Sequence, residues 1–100
     1  MADYTFQDHL IRVENGVIEQ FSRTIAGSMR TPMAWAAAQL EARKHDMVRV
    51  QIGVASGPDA PFFTDIAFMS PAFTFEIPAD EEPRLRAFLA DAARGAGRSA

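Results

Sequence analysis

The chain has 100 residues, 48% of them hydrophobic and eight of them Phe, with a net charge of -3. A chain of this length fits a single folding unit, and its aromatic content excludes disorder by composition. The acidic balance, without a long basic run, argues against nucleic-acid binding, which requires a clustered cationic surface.

The sequence contains no Cys, which excludes disulfides, thiolate chemistry and Cys-based zinc sites and indicates a reducing compartment. The first residues, "MADYTFQDHL", lack the positive and apolar regions of a signal peptide. No apolar stretch approaches the roughly 20 residues of a membrane-spanning helix. We therefore expect a cytoplasmic protein without integral membrane association. Nine of the ten basic residues are Arg, a bias that suggests a GC-rich bacterial genome.

The N-terminal quarter predicts a β-hairpin. Residues 4–13 carry apolar side chains that change face part way, which is typical of one bent or edge strand. Asn15-Gly16 is the strongest turn signal in the chain, because Asn-Gly supplies the two positive-φ positions of a type I′ turn. Residues 17–25 then alternate, with Phe21 on their apolar parity, and are predicted to pair with the first strand. Residues 26–30 predict a turn or bulge.

Three further strands are predicted in the second half. Residues 47–55 alternate most cleanly, with their Val and Ile side chains on one face. After a loop at residues 56–61, the Phe-rich segments 62–69 and 73–77 alternate in the same way. Pro71 and Pro78 mark strand edges, since proline cannot donate to an interior ladder.

The period changes to that of a helix after residue 80. Asp80 is predicted to cap the helix, and Pro83 is tolerated in its first turn. Apolar residues recur at positions i, i+3, i+4 and i+7 and form one buried stripe: Leu85, Phe88, Leu89 and Ala92. Gly95 is predicted to end the helix, which leaves residues 96–100 as a flexible tail.

Residues 31–46, "TPMAWAAAQLEARKHD", allow two structures. A helix is indicated by Thr31 as N-cap, Pro32 at the first helical position and many strong helix formers. The helical stripe would be anchored only by Met33 and Leu40, which is weak, and an alternating strand is equally permitted. Propensity favours the helix, but the surrounding strands favour a strand, and tertiary context often overrides propensity.

The order of these segments resembles bacterial pleckstrin-homology-like domains. The resemblance runs from "YTFQDHLIRVENGVIEQFSR" through "RTPMAWAAAQLE" and "VRVQIG" to the terminal "EEPRLRAFLADAAR". It implies a bent antiparallel sheet or partly open barrel, closed at one end by the C-terminal helix, with residues 31–41 as a central strand around Trp35. Such folds usually have seven strands, whereas six are predicted here. We expect a mainly β (α+β) fold: one pleckstrin-homology-like domain over residues 1–95, followed by the tail.

The only concentration of positive charge is Arg43, Lys44 and His45, which we predict as an anion-binding turn. Eukaryotic members of the family that the chain resembles bind phosphorylated lipid headgroups through basic loops, where Arg and Lys pair with phosphate. Here Glu41 and Asp46 flank the group and the chain is acidic, so an anionic lipid headgroup is not the expected partner. The alternative is a solvated hairpin end.

No catalytic residue, metal site or cofactor is predicted. The two histidines, His9 and His45, lack the spacing of metal ligands, and neither a GxSxG nucleophile motif nor a P-loop is present. One enzymatic alternative stays open: a small α+β enzyme or metabolite-binding protein with a pocket near Trp35, His9 and the basic turn.

The Phe-rich segments carry more aromatic side chains than one face of two strands can bury. Adjacent Phe62 and Phe63 must point to opposite sides. Either the helix closes a core around them, or one belongs to a subunit interface, since such interfaces resemble a core cut in half. The leading hypothesis is a non-enzymatic cytoplasmic module that binds a protein partner or itself as a homo-oligomer.

Overall fold

The computed structural model describes residues 2–23, 28–57, 59–65 and 73–99, and these contain seven strands, a 3₁₀ turn and one α-helix. The strands are β1 Ala2–Phe6, β2 His9–Glu14, β3 Val17–Ser22, β4 Ser28–Pro32, β5 Ala36–Arg43, β6 Met47–Val54 and β7 Phe73–Pro78. They form two antiparallel sheets, a first sheet in the order β1-β2-β3-β4 and a second sheet in the order β5-β6-β7. The predicted mainly β fold with one C-terminal helix is confirmed. Within the described residues the two sheets are not closed into a barrel.

The first sheet is an antiparallel meander joined by tight turns. The predicted type I′ turn is confirmed, because Asn15 and Gly16 have φ angles of 54° and 74° and Glu14 pairs with Val17. The prediction of one bent strand over residues 4–13 is wrong. The chain reverses at residues 7–8, where Gln7 has a φ of 51°, so that β1 and β2 form a hairpin of their own.

Residues 28–30, predicted as part of a turn or bulge, belong instead to β4. This strand pairs with β3, with Met29 opposite Gln20. The preceding residues 24–27 lie outside the described residues. These two corrections each add one strand to the six predicted, and the predicted strand over residues 62–69 is not among the strands of the described residues, which leaves seven.

The segment "TPMAWAAAQLEARKHD" contains strand residues and turns but no helix, so the strand prediction is confirmed and the helix alternative is wrong. It is not one central strand around Trp35, however. Strand β4 ends at Pro32, residues 33–35 turn, and β5 begins at Ala36 as the edge of the second sheet. The Trp35 N–H donates to the Pro32 carbonyl at 2.9 Å, which closes the turn that carries the chain from one sheet to the other.

The alanines of β5 allow another segment to approach closely. Ala38 exchanges backbone hydrogen bonds with residues 62–64: its N–H donates to the Phe62 carbonyl at 2.8 Å and its carbonyl accepts from Thr64 at 2.9 Å. Ala36 and Ala38 are fully buried. Small side chains permit this approach where larger ones would collide, which explains an alanine-rich strand.

The core lies between the inward faces of the two sheets. Its largest buried side chains are Tyr4, Ile11, Ile18, Met33, Ile52, Phe62, Ile77, Leu85 and Leu89. Phe62 is buried and Phe63 half-buried, and their rings meet edge to face at 5.1 Å. Both rings therefore have partners within the chain. The first Phe-rich strand was predicted over residues 62–69. Of its described residues, 62–65, only Phe63 forms a β-bridge, with Ala38. Residues 66–69 lie outside the described residues.

The C-terminal helix α1, Glu82–Gly95, follows a 3₁₀ turn at Ala79–Glu81 and buries Leu85, Leu89 and Ala93. The prediction that Asp80 caps this helix is wrong, because neither the turn nor the helix has a side-chain cap hydrogen bond. No helix of the described residues is long and apolar enough to cross a membrane. The domain boundary at residue 95 stays a prediction.

Candidate functional site

The predicted anion-binding residues lie at the tip of the β5–β6 hairpin. Arg43 ends β5, and Lys44 and His45 lie in the turn that follows. His45 and Asp46 have φ angles of 63° and 56°, the left-handed pair that a type I′ turn requires. The turn is tight, and all three predicted residues are exposed to solvent.

Carboxylates surround this turn. Glu41 accepts hydrogen bonds from Arg43 at 3.0 Å and from Arg49 at 3.1 Å, and these two guanidinium groups lower the pKa of Glu41. The shallow depression beside the turn is lined by Asp46 and Asp80. Arg43 is thus already paired, and an anion in the depression would meet two negative charges. Anion binding at Arg43, Lys44 and His45 stays a prediction, and this arrangement favours the solvated hairpin end.

Two exposed apolar side chains, which we call the Trp35 rim, lie near the turn between the sheets: Trp35 in that turn and Val54 at the end of β6. The side chains are 62% and 54% exposed and are the only large hydrophobic residues of the described chain with such exposure. They lie within one register position of each other, because Val54 pairs with Ala36 and the Ala55 N–H donates to the Trp35 carbonyl at 2.7 Å. The Trp35 rim therefore lies where the end of β6 pairs with the start of β5.

Long-range hydrogen bonds hold the backbone of the rim. The Met33 N–H donates to the Gly16 carbonyl at 2.7 Å. Arg98 donates to the carbonyls of Met33, at 2.8 Å, and Ala36, and also to that of Ala60 at 3.1 Å. Burial lowers the pKa of Arg98. The Trp35 ring therefore projects from a backbone that hydrogen bonds with three other parts of the chain position, at Gly16, Ala55 and Arg98.

His9 occupies a different place, at the start of β2. Its ring stacks on Phe75 of β7, with centroids 4.4 Å apart, and its buried Nδ1 has no hydrogen-bond partner. Burial lowers the pKa of His9, and nearby Asp8 opposes this shift. The half-buried His9 ring thus packs between the two sheets, which gives it a structural role.

In the described part of the chain, the three features that the enzymatic alternative combines in one pocket lie apart. The turn at residues 44–46 lies at the opposite end of β5 from Trp35. His9 stacks on Phe75, the β7 residue that pairs with Val50 of β6. Val50 is four residues, or roughly 13 Å, along β6 from Val54. The structure therefore separates Trp35 from both His9 and the basic turn.

The remaining polar cluster joins the helix to β1. The Tyr4 hydroxyl donates to Glu81 at 2.8 Å, and the Arg84 guanidinium lies 4.3 Å from the Tyr4 ring centroid and donates to the Thr5 carbonyl at 2.8 Å. Burial raises the pKa of Tyr4, and the hydrogen bond from Tyr4 lowers the pKa of Glu81. Elsewhere in the described residues, no group of three His, Asp or Glu side chains is arranged to hold a metal ion.

Sequence reasoning missed a row of charges on the outer face of the first sheet, which we call the charge row: Asp3, Arg12, Glu19 and Arg30. Each member lies directly opposite the next on neighbouring strands. Arg12 binds Asp3 with two hydrogen bonds of 2.9 Å, which lower the pKa of Asp3 and raise that of Arg12. Arg30 is 3.6 Å from Glu19. The Asn15-Gly16 turn was a signal for one of these pairs, since it sets Arg12 opposite Glu19.

Comparison of the chain with protein-family models, with curated proteins and with solved structures finds no match. Function is therefore inferred from the geometry of this chain.

Proposed function

We propose that this chain is a non-enzymatic, cytoplasmic protein-interaction module of the pleckstrin-homology-like class, and that it associates with itself. The class is supported by the architecture of the described residues, in which sheets of four and three antiparallel strands are followed by one C-terminal helix. This is the strand number and the helix position that the resemblance implies. The proposal of self-association extends the expectation of a homo-oligomer.

The observation that carries the interaction role is the exposure of Trp35. The Trp35 indole is 62% exposed, and Val54, which pairs with the following residue Ala36, is 54% exposed. Both leave apolar surface in water, and the backbone beside Trp35 is held by long-range hydrogen bonds. Trp is enriched among the residues that dominate protein–protein binding, because it buries a large area at a small cost in conformational entropy. A fixed, exposed Trp is therefore suited to contact with a protein partner.

The non-enzymatic part is supported by what the polar side chains do. Tyr4, Glu81 and Arg84 hold the helix to β1, and Arg98 holds the turn at Met33. The His9 ring stacks on the Phe75 ring, and burial lowers the pKa of His9. Each of these groups has a structural role that accounts for its position.

The test measures which proteins in an extract of the organism that encodes this chain are captured by the immobilised protein, and how much of each. Immobilised wild type and Trp35→Ala are compared with Arg94→Ala, a control on the exposed side of α1. We expect a defined set of proteins on wild type and Arg94→Ala and at least a tenfold loss of that set on Trp35→Ala, because truncation of an interface Trp removes much of the binding energy. Identical sets on all three would contradict the proposal.

A thermal-shift screen with metal ions and common metabolites checks the rival. We expect no change in the melting temperature. A rise of several degrees with one compound would favour a small-molecule site over the interaction role, because binding to the native state alone raises apparent stability.

A further inference from the structure

We propose that the outer face of the first sheet is a two-fold interface that pairs with the same face of a second copy of this chain. This rests on the self-association in the proposed function and names the surface that would produce it. Strand alternation places the charge row on this face, opposite the buried side chains of Tyr4, Ile11 and Ile18. Its side chains are half-buried or exposed.

The order of the charges makes the face complementary to itself. Along the row the signs are negative, positive, negative and positive across β1 to β4. In an isologous dimer each surface meets its own copy. With the two-fold axis parallel to the strands and between β2 and β3, β1 faces β4 of the second copy and β2 faces β3. Asp3 then meets Arg30, and Arg12 meets Glu19, so that all four contacts join opposite charges.

The neighbouring row on the same face has the same property. It runs across the four strands as Thr5, Leu10, Phe21 and Ser28, again directly opposite in register. Under the same axis Leu10 faces Phe21 of the second copy, and the two hydroxyl residues face each other. Leu10 and Phe21 are half-buried in the single chain. Pairing would bury apolar surface beside the charges, as interface cores do.

The side chains of the charge row retain hydrogen-bonding capacity for this contact. Arg12 uses Nε and Nη2 for Asp3, so Nη1 can donate to Glu19 of the second copy, since a guanidinium has five N–H groups. Arg30 is 67% exposed and its 3.6 Å contact with Glu19 is long. It can turn toward Asp3 of the second copy without breaking a close hydrogen bond.

The size of the face predicts a weak dimer. Four strands spaced about 4.8 Å apart and five residues long cover roughly 19 by 17 Å, or about 320 Å² of flat area per copy. Stable interfaces bury about 800 Å² per partner. Exposed charge pairs contribute little each, so we expect a reversible dimer with a Kd on the order of 100 µM.

Sedimentation velocity over a range of concentrations tests the interface. Arg12→Glu and Glu19→Arg each create two like-charge contacts in the symmetric dimer and are expected to raise the Kd about tenfold or more. The double variant Arg12→Glu/Glu19→Arg restores opposite charges at both contacts, and its Kd is expected within about threefold of wild type. Melting temperatures of all variants establish that each is folded.

Net charge alone does not produce this pattern. The net charge of -3 becomes -5 in Arg12→Glu (-3 - 2) and -1 in Glu19→Arg (-3 + 2). General repulsion would thus weaken one variant and strengthen the other, whereas the proposed pairing weakens both. Arg94→Glu, which also has a net charge of -5, is the control on α1, and its Kd is expected within about twofold of wild type.

The outcomes separate the interface from the proposed function. If wild type associates and the single reversals associate equally well, this interface is wrong and self-association stands. If the single reversals weaken the dimer but the double variant does not recover, the two-fold pairing is wrong. If wild type stays monomeric up to millimolar concentration, both self-association and the interface are wrong.

Discussion

The outer faces of the two sheets carry the same kind of ion pairs but differ in the number of strands that the charges cross. On the second sheet Arg49 lies opposite Glu41 on one side and Glu76 on the other, and it donates to Glu41 at 3.1 Å. This row of three has the signs negative, positive and negative. Facing its own copy about a two-fold axis, it would place Glu41 against Glu76 and Arg49 against itself.

The difference shows that strand number decides which face can pair with itself. When a row with an even number of alternating charges faces its own reversed copy, every charge meets one of opposite sign. When the number is odd, every charge meets one of the same sign. Among the described residues, the first sheet has an even row and the second an odd one. Like charges placed opposite each other disfavour a contact, so we expect the second sheet not to associate in the way proposed for the first.

The inner faces of the sheets also differ. The inward side chains of β6 are apolar, and Val48, Val50 and Ile52 are buried. On β3 the corresponding surface contains Gln20, which is 1% exposed and whose Oε1 and Nε2 have no hydrogen-bond partner. A buried amide without partners costs free energy. The inner face of the first sheet thus contains a buried polar group, at Gln20, whereas these three inward positions of β6 are apolar.

The largest effect is expected from breaking the apolar inner face of the second sheet. Ile52→Ala removes a fully buried side chain and should lower the free energy of unfolding by about 3 kcal/mol, because it loses burial and leaves a cavity. Urea denaturation measures this change. Val54→Ala, at the exposed end of the same strand, is the control and should change the value by less than about 0.5 kcal/mol. Equal effects would mean that burial does not distinguish the two positions.

Removing the buried amide of the first sheet should have a smaller effect of opposite sign. Gln20→Met keeps the length of the side chain and removes the unpartnered groups, so the free energy of unfolding is expected to rise by about 1 kcal/mol. Gln51→Met is the matched control, because the Gln51 amide donates to Thr74 at 3.2 Å, and it should be neutral or destabilising. A loss of stability in Gln20→Met would show that its amide has a partner in solution.

Salt should weaken the dimer of the first sheet without unfolding the chain. Screening of exposed charges increases as the Debye length falls from about 10 Å at 0.1 M to about 3 Å at 1 M. We therefore expect the Kd of wild type to rise roughly fivefold between these salt concentrations, measured by sedimentation. A Kd that falls with salt would indicate an apolar contact, such as the Trp35 rim, in place of the charge row.

The smallest effect concerns His9, which connects the two sheets through Phe75. Its pKa lies below the ordinary value of 6.5, so the unfolded chain binds this proton more readily than the folded one. The stability that depends on neutral His9 is fully present above about pH 6.5 and is lost as the pH falls toward the lowered pKa. The melting temperature should drop less between pH 7.5 and pH 5.5 for His9→Phe than for wild type. Equal drops in the two proteins would contradict this role of His9.

Elements with local signals could be predicted from the sequence. Asn15-Gly16 specifies its turn by backbone conformation, β6 by strict alternation and α1 by its apolar period. The hairpin at residues 7–8 could not be predicted, because Gln7 adopts a left-handed conformation that Gln rarely takes. The exposure of Trp35 could not be predicted either, because the turn that carries Trp35 is positioned by Arg98, which is distant from it in sequence.

The charge row shows where prediction from this sequence ends. The pair of Arg12 and Glu19 follows from the turn between β2 and β3, which the sequence predicts. Asp3 and Arg30 lie on β1 and β4, the two strands that were not predicted as separate elements. Half of the row was therefore accessible from sequence, and its even number became apparent only with the strand order of the sheet.

Mixing the two single reversals tests whether positions 12 and 19 face each other in a dimer of the first sheet. Arg12→Glu and Glu19→Arg are each expected to be monomeric at a concentration where wild type is partly dimeric. In a mixed dimer, position 12 of each chain faces position 19 of the other with opposite charges. An equimolar mixture is expected to recover the association of wild type in sedimentation velocity. A mixture whose average mass equals the mean of the separate monomers would contradict pairing through the outer face of the first sheet.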